Sequence, residues 1–239
     1  MRALFAFERL LMRRPIVLLV IGVIGAAALL FLGSWQVERL HWKQAILAEI
    51  EGQIYRDPVA VPANPDPEAD RFLAVTAHGR VTEDEILVLA SARGQGAGYR
   101  VISAFETDDG RRLMLDRGFV GITAHDDVRP AHDATILANL HWPEERDSFT
   151  PENDLAANTW FARDVPQMAQ VLKAEPFLLI LRETDYASPR VTPWPVDTSG
   201  IPNNHLEYAV TWFSFAAIWV VGIGFILWQS RRTKKERPD

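Results

Sequence analysis

The chain has no cysteine and only four methionines in 239 residues. Without thiols it can build neither a disulfide framework nor a thiolate metal site. Copper delivery, which favours Cys and Met ligands, finds no ligand set. The signatures of nucleophilic catalysis are missing as well: there is no Gly-x-Ser-x-Gly elbow and no Ser-His-Asp set that spacing singles out. Internal repeats and low-complexity tracts are also absent. The three glycines of ARGQGAG, Gly94, Gly96 and Gly98, have no following helix and no lysine in place, so they read as a hairpin loop, not as a phosphate cradle.

Charge is missing from two long stretches. Ile16 to Gly33 runs 18 residues without a charged side chain, and Tyr208 to Trp228 runs 21. As helices they reach roughly 27 and 32 Å, close to the hydrocarbon thickness of a bilayer. A core helix rarely runs so far without a polar face, so both are read as transmembrane helices. Four arginines against one glutamate precede the first run, and five basic residues against two acids follow the second. Short basic flanks stay on the cytoplasmic side, which places both termini inside and the middle outside. From Trp35 to Glu207 the chain carries 16 Lys and Arg against 28 Asp and Glu, an acidic surface that does not invite nucleic acid. The Arg-rich start followed by an apolar run and Ala26-Ala27-Ala28 has the outline of a secretory signal. The length of the apolar run and the helical pattern beyond it favour a retained span.

These readings give a membrane protein with two transmembrane α-helices, a hairpin, flanking a mainly antiparallel β extramembrane domain with one or two short helices. The expected segments are a cytoplasmic tail 1–15, a span 16–34, a helical extension 35–54, an external β-rich domain 55–204 that begins with a proline-rich linker, a second span 205–228 and a basic tail 229–239. SWQVERLHWKQAILAEIEGQIY has no glycine or proline before Gly52, so the first helix should continue past the membrane. β-like runs then follow: FLAVTAHGRV, EILVLASA, YRVISAFET, RRLMLDRGFVGI, ATILANLHW and PFLLILRET. Thr107-Asp108-Asp109-Gly110 signals a hairpin. Asp164 is placed to cap the helix VPQMAQVLK, with Pro166 in its first turn.

Candidate chemistry concentrates at the membrane edge. From His205 at the start of the second span, Tyr208, Trp212, Phe215 or Ala216, and Trp219 follow at helical spacing. An interfacial aromatic belt accounts for such a stripe without any further duty. The belt does not account for His205 together with Arg39 at a similar depth on the other helix. Trp35, Arg39 and Trp42 share one helix face. Imidazole is a common axial ligand to haem iron, a macrocycle needs flat apolar walls, and its propionates need a cation. A pocket near the outer interface would offer His205 to the metal, the faces of Trp35, Tyr208 and Trp212 to the ring, and Arg39 to a propionate. Elsewhere His125, Asp126, Asp127, His132 and Asp133 in AHDDVRPAHDA offer oxygen and nitrogen donors, but at no recognised metal spacing, and read as an exposed acidic loop.

LGSWQVERLHWK at 32–43 and NNHLEYAVTWF at 203–213 closely resemble the two hallmark segments of the Surfeit-locus family of cytochrome c oxidase assembly proteins. GYRVISAFETDDGRRLMLDRGFVG at 98–121 and FTPENDLAANTWFARDVPQMAQ at 149–170 resemble further segments of that family, in the same order. The resemblance implies an assembly factor, not an enzyme, that binds haem a transiently and helps insert it into subunit I of a haem–copper oxidase. It implies that His205 is the axial ligand, with Trp35, Gln36, Arg39, Trp42 and Lys43 forming the first-span motif. Cytochrome oxidase subunit I, haem a synthase and membrane lipid are the partners expected, in the inner membrane of a bacterium. The alternative is a haem-independent scaffold that stabilises nascent subunit I. A metal-dependent hydrolase using the AHDDVRPAHD loop is a third reading. Two positions depart from the family pattern: Glu207 stands where Gln is expected, and Phe119 where Trp is usual.

Overall fold

A computed structural model describes residues 2–92, 94–186 and 191–235, with side chains from 16 to 232 within those ranges. The basic side chains before residue 16 and after 232, on which most of the orientation reading rests, lie outside the described residues. Arg93 and Ser188-Pro189-Arg190 also lie outside them. By packing, the chain divides into two units, Met1–Leu47 with Ile201–Asp239, and Ala48–Gly200.

The first unit is helical. Helix α1 spans Arg2–Ile54 without a break, and helix α3 spans His205–Lys235. Both are long and apolar enough to cross a membrane. Neither is a core helix of a soluble protein: Phe31 is 70% exposed and Val221 is 70% exposed. Apolar side chains this bare on a long helix are compatible with a lipid solvent.

The second unit is a β barrel. Strand β1 is Val59–Ala60, β2 is Ala74–Ala92, β3 is Gly96–Thr107, β4 is Arg112–Gly121, β5 is His132–His141, β6 is Thr159–Trp160 and β7 is Leu178–Thr184. The ladder runs β2-β3-β4-β7-β5, and β5 pairs back onto β2, closing the path. The large pairings are antiparallel, apart from the parallel β4–β7 pair; β1 and β6 add short parallel pairs to β2. The two runs expected as FLAVTAHGRV and EILVLASA are one strand, β2, with a bulge between Val81 and Glu85. The acidic stretch between them looks like a turn in sequence, yet Val81 before it pairs with Phe105 and Glu85 after it with Ser103, so the strand continues across a bulge. The Thr107–Gly110 turn is present, with Gly110 at φ +83° supplying the left-handed residue that closes it.

Alternation along the strands feeds two cores. Val75, Phe105, Leu115, Ile136 and Leu179 come from all five barrel strands and fill its interior. Ile102, Met114 and Ile180 point the other way, onto Trp160 and helix α2, Val165–Leu172. Asp164 caps α2, its side chain accepting from the Gln167 N–H at 3.1 Å, and Val165, Met168, Ala169 and Leu172 make its buried face.

The end of α1 is fastened within this unit. Ile54 is fully buried, and its carbonyl has no helical partner of its own. Asn139 Nδ2 donates to it at 3.0 Å and Arg182 Nη1 at 2.7 Å, while Asn139 also donates to the Phe72 carbonyl at 2.9 Å. Asn139→Ala removes both of its bonds from a fully buried position. It is expected to lower stability by about 1–3 kcal/mol, read as a shift in the denaturant midpoint of the detergent-solubilised chain.

Candidate functional site at the head of the second helix

Three glycines on α1 set the contact with α3. A Cβ at Gly22 would stand 2.8 Å from Ile223, one at Gly25 2.6 Å from the Trp219 indole, and one at Gly33 2.7 Å from the Phe213 ring. Each glycine receives one bulky side chain, as small residues do where helices pack in a membrane. The Trp219 indole N–H also donates to the Gly22 carbonyl at 3.0 Å. On the opposing face Ala209 and Ala216 are buried, one and three turns into α3. From Gly22 to Gly33 the seam is filled by protein side chains.

Beyond Gly33 the seam becomes polar. Gln36, 9% exposed, points its carboxamide oxygen at His205, 2.8 Å from Nδ1. One heptad further on the same face, Lys43 donates to the Pro202 carbonyl in the segment leading into α3. His205 is the first residue of α3 and half-buried. A carboxamide oxygen only accepts, so Nδ1 is the donor and the lone pair of the neutral ring is on Nε2. That is the state in which an imidazole ligates through Nε2.

The other expected site residues fall into two groups. Trp212 is half-buried on the same face as His205. Trp35 and Tyr208 are 47% and 57% exposed and stand on the outward flanks. Arg39 is exposed and lies 3.9 Å over the Trp42 ring, a cation–π pair that holds the guanidinium at the helix surface. The residue that meets His205 is therefore Gln36, not the Trp35–Arg39–Trp42 face. Glu207 is exposed in the first turn of α3, where negative charge is favoured by the positive end of the helix dipole.

In the barrel, the AHDDVRPAHDA loop does not assemble a metal site: among the described residues no three His, Asp or Glu come together. His125 pairs with Asp126, His132 stacks on Tyr186 at 3.6 Å between centroids, and Arg129 makes a bidentate pair with Glu85. A cavity of about 460 Å³ is lined by Leu115, Arg117, His132, Tyr186 and Val191; of the candidate residues it takes in His132 alone, and none from the head of the second helix.

The motif Arg117-Gly118-Phe119 serves packing. Gly118 has φ +119°, and a Cβ there would strike the Thr192 carbonyl at 2.0 Å. Phe119 bonds Thr192 through both backbone groups and meets Trp194 edge-on at 5.8 Å. Arg100 stacks on the same indole and pairs with buried Asp116 at 2.7 Å. His141, beside this cluster, is held neutral: burial first, then the charges of Arg163 and Arg71, pull its pKa from 6.5 to about 4.

The model of the SURF1 family matches residues 23–217. Among curated proteins the chain is similar to Surfeit locus protein 1 of Homo sapiens, 28% identical over 215 residues that cover 78% of this chain and 69% of that protein. The SURF1-like protein of Rickettsia bellii is 29% identical over 205 residues, covering 81% of this chain and 83% of that protein. The SURF1-like protein of Monosiga brevicollis is 28% identical over 206 residues, with 78% of each covered.

Gly25→Leu forces the Trp219 indole out of its seat and is expected to lower stability by about 1–3 kcal/mol in SDS titration of the reconstituted chain. Gly222→Leu, which meets nothing within 4 Å, should leave stability level or raise it, since leucine is the better helix former. His141 gives a pH signature. Its unfolded imidazole takes up a proton near 6.5 and its folded one only near 4, so the unfolded state binds more protons in between. Stability is full above pH 6.5, falls by roughly 1.4 kcal/mol per pH unit below it, and levels off below pH 4. His141→Phe, which retains an aromatic ring to stack on Phe72, should flatten that slope in pH-dependent unfolding.

Proposed function

This chain belongs to the SURF1 family, and on that premise we propose that it is a membrane-anchored assembly factor for haem–copper cytochrome oxidase, binding haem a and helping its insertion into subunit I. The observation that carries the reading is the Nδ1 bond of His205 to Gln36, which leaves Nε2 with the lone pair an axial ligand requires. The residues around it fit a macrocycle. Trp35 and Tyr208 present exposed aromatic surface at the same level, and Trp212 lines the half-buried side. Arg39 supplies an exposed guanidinium for a propionate. The glycine seam is already filled, so these outer residues, not the space between the helices, take up the cofactor.

Haem a, when bound, brings the iron centre that the oxidase uses; the work of this chain is to hold and release it. A single imidazole at a half-open surface suits release better than a closed pocket does. In this reading both spans lie in the inner membrane of a bacterium, with the termini cytoplasmic and the barrel outside. Haem a synthase is the donor, subunit I the recipient, and lipid the remaining contact. The chain performs no chemistry of its own.

Protein purified from cells that make haem a is expected to carry haem a, and His205→Ala to lose it. Full haem content with an unchanged spectrum in His205→Ala would sink the ligand assignment. Wild-type protein that carries no haem yet still captures subunit I would instead support a haem-independent scaffold.

A further inference from the structure

We propose that Gln36 is the positioning residue of this site: its carboxamide oxygen fixes His205 as the Nδ1–H tautomer and thereby makes Nε2 the ligating atom. The proposal rests on the reading of His205 as a ligand, but it makes a claim about the apo protein that stands or falls by itself.

A neutral imidazole exists as two tautomers, and only the one with its proton on Nδ1 offers Nε2 to a metal. At the head of α3 the selection is made by one contact, 2.8 Å long, from a side chain on the other helix. Gln36 is suited to it in three respects. It is 9% exposed, so water does not compete well for its oxygen. It lies three residues beyond Gly33, whose contact with Phe213 fixes the helix register just below. Seven residues on, Lys43 holds the Pro202 carbonyl, so the segment that enters α3 is tethered on both sides of the imidazole. A carboxamide presented the other way round would donate to Nδ1 and move the proton to Nε2, closing the site to metal. The orientation of one amide therefore decides whether the histidine can ligate.

The contact also acts on the bound state. An N–H that donates to an oxygen makes the imidazole a stronger electron donor, and loss of such a partner typically costs about 10- to 100-fold in metal affinity. A neutral amide polarises the ring less than a carboxylate would. It gives a ligand firm enough to capture iron and weak enough to let it go.

The experiment uses the full chain in nanodiscs, labelled with ¹⁵N-histidine and free of haem, with the His205 signals assigned by difference against His205→Ala. Long-range ¹H–¹⁵N correlation at neutral pH should report a protonated Nδ1 and an unprotonated Nε2. In Gln36→Leu that preference should disappear, and haem affinity should fall about 10- to 100-fold. Gln36→Glu should keep the tautomer, retain haem, and move the reduction potential of the bound haem downward. A protonated Nε2 in the wild-type protein overturns the proposal. So does a Gln36→Leu protein with wild-type tautomer, affinity and potential. If Gln36→Leu does not fold, the wild-type spectrum and the Gln36→Glu potential still decide. Retention of haem by His205→Ala would count against the ligand reading alone, since the tautomer is measured without haem.

Discussion

Three bulky side chains seated on three glycines fix the register of the helix pair, and the site inherits its geometry from that register. A helix that slips by one residue turns by about 100°, enough to take Gln36 out of reach of His205. Isoleucine, tryptophan and phenylalanine from α3 enter at Gly22, Gly25 and Gly33, and the indole of Trp219 adds a hydrogen bond to the Gly22 carbonyl. In a lipid solvent apolar area does little to hold helices together, so close packing and such bonds take its place. The polar contacts Gln36–His205 and Lys43–Pro202 continue the same seam where the apolar runs end.

The barrel rests on a different principle. Its strands are apolar on both faces because one face fills the interior and the other lies under α2 and Trp160. Two of its buried charges find an opposite: Asp116 pairs with Arg100, and Arg129 with Glu85. Such pairs give little net stability but make wrong packings costly. Phe119 packs edge-on against the ring of Trp194.

What could be read from sequence follows the range of the interaction concerned. The two spans were legible because freedom from charge is local, and the long first helix because nothing breaks it before Gly52. The Asp164 cap and the Asp109-Gly110 turn are also settled within a few residues. Barrel closure was not legible: it depends on β5 finding β2 and on the parallel β4–β7 pair, both remote in sequence. The joining of two runs into β2 escaped for the same reason, since local charge argued for a turn and distant ladders overruled it. At the site, helical spacing put Trp35, Arg39 and Trp42 together but could not say which face of α1 meets α3. Small residues carried that signal. Gly22, Gly25 and Gly33 mark the contact face, and Gln36 and Lys43 continue it, whereas Trp35, Arg39 and Trp42 stand on the outward side.

Strand β2 has one further consequence. It pairs with β1 and β3 along one edge, and on the other with β5 over Ala74–Val81 and with β6 at Leu87 and Val88. The stretches of β2 left unpaired are short, which leaves little room for another chain to add a strand there. Donor-strand exchange and sheet-to-sheet aggregation through β2, the usual hazards of a β domain, are thereby disfavoured. A protein docked along β2 would be recognised mainly by side chains, which let go of a partner more readily than a shared backbone ladder does.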